Sequence, residues 1–228
     1  MVPILILYTL KRLKVISITD KNLSRIKSLL QKIFALVLLL ILTSTHALNN
    51  PIKEKPMVFQ IMKNQKVIGT INMIKTVSGD SITYNSESNI NAKFVLSFKI
   101  IGKEKSVFRN GTLVYSSVYR TLNRKVKANH SIVQKNRTYN IKENNKTEVL
   151  NIPNIQQNLI TLYFNEPNGI ASVFCDNQKE MIDVSYLGDG KYKVEIANGK
   201  YNIFHYKNGA CVKVEAVSPM FDVVLMPL

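Results

Sequence analysis

Three Asx-Gly dipeptides, Asp189-Gly190, Asn198-Gly199 and Asn208-Gly209, recur at nine- to ten-residue spacing, each between runs of alternating polarity. Glycine after Asp or Asn supplies the positive φ of a tight hairpin turn, and period-two alternation is the mark of a half-buried strand. Glu180–Leu187, Lys191–Ala197, Lys200–Lys207 and Ala210–Val217 therefore read as a β-meander, with Phe221–Met226 expected as a last strand.

The same alternation runs upstream. Met57–Met62 and Lys66–Thr76 flank the polar turn Lys63-Asn64-Gln65, and Ser78-Gly79-Asp80 leads into Ser81–Ser88. Ala92–Ile101 is expected as one strand, with Phe94, Leu96, Phe98 and Ile100 on one face. Asn110-Gly111 turns the chain into Thr112–Leu122, followed by Lys125–Lys135, Thr138–Lys142 and Lys146–Leu150, and later by Ser172–Phe174. Between Pro153 and Phe164 the pattern changes: Ile155, Leu159 and Leu162 stand at i, i+4 and i+7, and Asn154 is placed to cap. One short helix packed on the sheet is expected there. The fold class is thus all-β: a single curled antiparallel sheet of roughly ten to thirteen strands, barrel or half-barrel, meander-rich in its C-terminal half, with one inserted helix.

The N-terminus is of another kind. Ile33–Leu42 (IFALVLLLIL) is an unbroken apolar run, preceded by Arg25, Lys27 and Lys32 and followed by Thr45-His46-Ala47. This is the pattern of a secretory signal peptide, and the run is short of the about 18 to 20 apolar residues of a transmembrane helix. Residues 1–47 are expected as a leader, with cleavage after Ala47, and 48–228 as one β-rich domain. The uncleaved alternative is an N-terminal anchor. With the leader removed, no stable transmembrane segment is expected and the protein is placed in the periplasm or outside the cell.

The formal net charge is +16, and residues 48–228 keep 24 Lys and Arg against 14 Asp and Glu. The charges are scattered singly along the strands, the nearest approach to a patch being Arg120, Arg124, Lys125 and Lys127. No recognition helix, stacking platform or Gly-rich basic tract accompanies them, so specific nucleic-acid binding is not expected. The two cysteines, Cys175 and Cys211, leave open a disulfide or two buried thiols. His130 and His205 alternate with apolar neighbours and read as core histidines. Neither has a carboxylate or Cys at ligand spacing, so no metal or other cofactor is implied. The triplets at Asn110, Asn129, Asn136 and Asn145 match the glycosylation sequon, a pattern frequent by chance in so Asn- and Lys-rich a chain. No nucleophile elbow, zinc-protease or phosphate-cradling motif occurs, and the protein is expected not to be an enzyme.

Residues 162–176, Leu-Tyr-Phe-Asn-Glu-Pro-Asn-Gly-Ile-Ala-Ser-Val-Phe-Cys-Asp, resemble the LYFxEPxG…SVFSE segment of a family of secreted Gram-negative bacterial proteins, domain of unknown function 6134. The resemblance continues through Gly190-x-Tyr192, Asn198-Gly199-x-x-Asn202 and Tyr206-x-Asn208-Gly209 to Val214-Glu215. It also takes in Gly69 and Ser78-Gly79-Asp80. Cys175 stands where the family usually has Ser, and Ala197 where it often has Pro. The resemblance implies export and a β-rich fold and assigns no catalytic residue. It singles out Tyr163, Phe164, Glu166, Pro167, Gly169, Phe174, Asn202 and Tyr206 as motif residues of unknown role. A turn or cap role fits Glu166, beside Pro167, better than a catalytic one. The functional expectation is a binding or structural role at the cell envelope. The alternatives are a carrier of a lipid or other apolar ligand in a half-barrel cavity and, from another class, a hydrolase of envelope polymers.

Overall fold

The computed structural model describes residues 31–34, 51–93, 97–152, 154–219 and 222–228. The chain divides into two units, Met1–Asn49 and Asn50–Leu228. In the first, residues 31–34 are helical and exposed. The cleavage site expected at Ala47 lies outside the described residues.

The second unit is a single antiparallel sheet. Its strands are β1 (Ile52–Lys53), β2 (Met57–Lys63), β3 (Lys66–Ser78), β4 (Ser81–Lys93), β5 (Ser97–Arg109), β6 (Thr112–Leu122), β7 (Lys125–Lys135), β8 (Thr138–Glu143) and β9 (Lys146–Leu150). They continue as β10 (Ser172–Cys175), β11 (Glu180–Gly188), β12 (Lys191–Ala197), β13 (Lys200–Lys207), β14 (Ala210–Val217) and β15 (Val223–Pro227). Two meanders, β2–β9 and β10–β15, are joined where the last strand pairs with the first long one, Leu225 opposite Ile61. β9 and β10 end the path, so the sheet is not closed, and β1 extends the row of β2 along β3.

Three expectations change. Lys93 pairs with Ser97, so Ala92–Ile101 is the end of β4 and the start of β5, not one strand. The alternation of Phe98 and Ile100 carries back to Phe94 and Leu96, which lie outside the described residues, and no Gly, Pro or Asn announced the reversal. The helix expected over Pro153–Phe164 shrinks to a 3-10 turn, Leu159–Tyr163, capped by Asn158 and not Asn154. Residues 154–158 stay non-helical because their backbone is used elsewhere. The Ile155 N–H donates to the Tyr139 hydroxyl (3.0 Å), its carbonyl accepts from Leu113 N–H (2.8 Å), and the Gln157 carbonyl accepts from Phe174 N–H (2.9 Å). These bonds to the sheet displace the i→i−4 ladder a helix needs. Finally, His205 is only half-buried, beside Glu215 (3.0 Å), because the inward set on β13 is Phe204 and Tyr206.

The curl follows from what the 154–164 segment touches. Its residues reach Tyr139 on β8, Leu113 on β6, Ser106 on β5, Phe59 on β2 and Phe204 on β13. Laid flat, fourteen paired strands would span about 60 Å at about 4.8 Å each, and a five-residue 3-10 turn about 10 Å. The sheet must therefore wrap around the segment, which plugs the half-barrel. Ile155, Ile160 and Leu162 are buried in the core with Phe59, Phe174, Phe204 and Val214.

Gly190, Gly199 and Gly209 all have positive φ, as the meander requires. Among the described residues, four two-residue hairpin turns have no glycine: Asn64-Gln65, Asn123-Arg124, Asn136-Arg137 and Asn144-Asn145 hold both residues at φ between 48° and 65°. Asn tolerates this region and Arg does not. Arg124→Gly and Arg137→Gly are each expected to raise stability by about 0.5–1 kcal/mol in denaturant melts, and an unchanged or lower midpoint in both refutes the strain.

Candidate functional site

A cavity of about 360 Å³ lies between the plug and the inner face of the sheet. Its apolar wall is Ile71, Ile90, Ile100, Leu159, Ile160 and Phe204, and its polar wall is Glu104, Arg120, Asp176, Asn177 and Asn202, with Ser86 and Ser88. Most of the polar groups stand at the inward phase of β4 to β6, where a core strand would place aliphatic residues. On β5 the inward run is Ile100, Gly102, Glu104, Ser106 and Phe108, so a charge and a hydroxyl sit amid apolar positions.

Arg120 Nη2 donates to Glu104 Oε1 at 2.8 Å, and each side chain is about one-third exposed (35% and 33%). Arg120 therefore leaves the surface patch in which the sequence placed it. Asp176 follows β10 and is held from the plug: Asn158 Nδ2 donates to its Oδ2 at 2.8 Å and to Ser106 Oγ at 2.8 Å. Burial pushes the Asp176 carboxyl up to about 6. The facing Ser116 hydroxyl and the Asn158 amide oppose that rise, and the Glu104 carboxylate adds to it. Asp176 Oδ1, Asn158 Oδ1 and Ser116 Oγ are buried without a good hydrogen-bond partner, which marks the cluster as polar beyond what packing needs. His130 is buried with its Nε2 2.9 Å from the Asp176 carbonyl. Because a carbonyl only accepts, Nε2 carries the proton, and burial lowers the ring's pKa.

The motif residues divide between mooring the plug and lining the cavity. Tyr163 packs edge-on against Phe59 and Phe204 at 5.3 Å each, and Phe164 packs against Tyr84 at 5.1 Å. The Tyr206 hydroxyl donates to the Leu162 carbonyl, tying β13 to the plug. The Tyr192 hydroxyl sits between Glu166 Oε1 (3.0 Å) and Asn168 Oδ1 (2.6 Å), so Glu166 fixes the turn in which Pro167 is buried and Gly169 adopts φ 71°. Phe174 is wholly buried. Tyr163 and Asn202 line the cavity, whereas Glu166 and Tyr206 do not. Glu104, Ser106, Asn158 and Asp176 were not singled out in the sequence, and Arg120 was named there only as part of a basic patch. Cys175 and Cys211 are unbridged and buried, and burial pushes the Cys211 thiol up to about 12. Among the described residues no group of three or more His, Cys, Asp or Glu is placed to hold a metal. No helix among them is long and apolar enough to cross a membrane.

The cavity divides the plug's leucines. Leu162 is fully buried, whereas Leu159 is partly buried and lines the space. Leu162→Ala is expected to cost about 3–5 kcal/mol and Leu159→Ala less than about 2, because the second only enlarges an existing cavity. Equal losses in thermal melts refute the distinction.

Fold and site together define a class: an open β half-barrel with an internal plug and a cavity between them. The chain belongs to the family described as domain of unknown function DUF6134, whose model matches residues 59–227. Among solved structures it is similar to that of a beta-barrel-like protein of domain of unknown function DUF1849 from Brucella abortus. The two share 9% identity with a TM-score of 0.48, over 76% of this chain and 95% of that one. No curated protein matches the chain.

Proposed function

We propose that the chain is a non-enzymatic binding protein of the cell envelope that carries a small amphipathic ligand between the curled sheet and its plug. The observation that carries this reading is the cavity of about 360 Å³ with one aliphatic wall and one charged wall. That volume is near the lower end of small-molecule sites, which run from about 300 to 1,000 Å³. It suits a short apolar body with a single polar head, a narrower ligand than a whole two-chain lipid. The head would meet the Glu104–Arg120 pair, which lines the cavity. Export rests on the Ile33–Leu42 run and its basic flank, with cleavage after Ala47.

Native mass spectrometry of protein purified from the envelope tests the reading. An adduct of a few hundred daltons is expected in the parent and is expected to be lost in Ser86→Phe, which fills the cavity. Adduct-free parent protein, or equal retention by the variant, rejects it. A second reading, hydrolysis of an envelope polymer, has one favouring observation: two carboxylates, Glu104 and Asp176, line one cavity in different environments. It expects polymer-degrading activity that Glu104→Gln and Asp176→Asn both abolish.

A further inference from the structure

The outer face of β6 to β8 carries a second, unrelated groove. Its floor is the row Ser117, Ser131 and Lys142, in which Ser117 pairs with Ser131 and Ser131 with Lys142, and Lys105 continues the row onto β5 opposite Ser117. Directly paired residues point to the same side of a sheet. Their chain neighbours Ser106, Ser116, Ile132 and Ile141 are buried, so this row faces outward, away from the plug and its cavity. Two serines in the middle leave the floor low, and Tyr115 and Tyr119 rise about 7 Å to either side along β6. The groove has a volume of about 460 Å³ over β6 to β8, with Asn129, Asn144 and Asn145 completing its wall, and Lys105 stands beyond it at the β5 end of the row.

Charge and shape coincide here. Lys105 and Lys142 are exposed, have no ion pair among the described residues, and end the row three strand spacings apart, about 14 Å. In the adjacent row Glu87 is the acidic side chain, and it is bound to Lys103 at 3.3 Å. A ligand lying across the strands would thus meet a cation at each end, hydroxyls and an amide along the middle, and a tyrosine ring on either flank. Amides and hydroxyls answer the hydroxyls of sugars, the rings offer flat apolar contact, and the lysines answer carboxylates or other anionic groups. A membrane surface would need exposed large apolar side chains, which the floor lacks. A nucleic acid would call for arginines, and this groove has none.

The geometry points to the outer groove between Lys105 and Lys142 as a docking surface for an acidic polysaccharide running across β5 to β8. The test is electrophoresis of the purified protein through gels containing polygalacturonate, with neutral dextran as the control. Polygalacturonate is expected to retard the protein and dextran is not. K105E/K142E is expected to weaken the retardation about tenfold, and K200E/K207E, with the same change in net charge on β13, much less. Y119A and S131W leave the charge untouched, one removing a wall and one filling the floor, and each is expected to weaken binding about threefold or more. Because both positions reach the surface, unchanged melting temperatures are expected to confirm folding. The proposal is overturned if polygalacturonate does not retard the protein or if K200E/K207E weakens binding as much as K105E/K142E. It is also overturned if neither Y119A nor S131W has an effect, or if duplex DNA or phosphatidylglycerol vesicles displace polygalacturonate at lower concentration.

Discussion

Asp176→Asn is expected to be more stable than the parent at pH 7.5 by up to about 3 kcal/mol, and equally stable near pH 4. Burial holds the Asp176 carboxyl at about 6 in the folded chain against 3.8 for an unperturbed aspartate. A folded pKa above the unfolded one means that protonation favours folding. The contribution is fully present below about pH 3.8 and is lost as pH rises through about 6. Above that, the charged, desolvated carboxylate costs about 1.4 kcal/mol for each pH unit between the two values. An asparagine is never charged, and its carbonyl oxygen can still accept from the Asn158 amide, so the latch between plug and sheet survives. The measurement is the difference in unfolding free energy between parent and variant across pH 4 to 8. A variant no more stable at pH 7.5, or a difference that does not shrink on acidification, refutes the assignment. Confirmation would have a functional side, since a carboxylate kept at a cost in stability beside a cavity is the kind of group that ligand contact or chemistry retains.

What the sequence could disclose depended on whether the signal was local. The C-terminal meander was legible because each turn carries its own glycine, and positive φ at Gly190, Gly199 and Gly209 follows from the dipeptides alone. The plug was half legible. Ile155, Leu159 and Leu162 all face inward, but an i, i+4, i+7 spacing cannot tell a helix from an extended segment that ends in a tight turn. What decides is the Tyr139 hydroxyl and the Leu113 N–H, supplied from residues 16 and 42 positions upstream of Ile155. The cavity's charged wall was the least legible part. Glu104, Arg120 and Asp176 are brought together by strand order, which no single sequence states. One clue was present: along β5 the inward phase reads Ile, Gly, Glu, Ser, Phe, and a polar pair inside an apolar alternation asks for a partner across the barrel. His205 shows the converse, since period two marks two faces without saying which is the inner one.

Gly69→Ala is expected to destabilise the protein by about 3 kcal/mol or more, whereas Gly102→Ala should cost less than about 1. The two glycines flank β4 from opposite sides: Gly69 on β3 pairs with Ile90, and Gly102 on β5 pairs with Ser88. A β-carbon at Gly69 would lie 2.4 Å from the Asn89 carbonyl oxygen and 2.8 Å from the Ile90 α-carbon, both backbone atoms. Neither can move without shifting β3 against β4, and β3 is also bound on its other edge, where the register with β2 slips between Ile61 and Met62. A glycine beside such a bulge lets two backbones approach closely where the sheet coils. At Gly102 the obstacle is the Ser88 hydroxyl, 2.5 Å away, a side-chain atom that can rotate into the cavity. The comparison therefore separates a bend enforced by backbone contact from one that merely leaves room. If the curl of the sheet at β3–β4 depends on that contact, Gly69→Ala will also loosen the plug and expose Tyr163 to quenchers, while Gly102→Ala leaves both unchanged. Equal and small losses for the two variants would mean that the close approach at Gly69 does not set the curvature, and the wrapping would then have to come from the plug's own contacts.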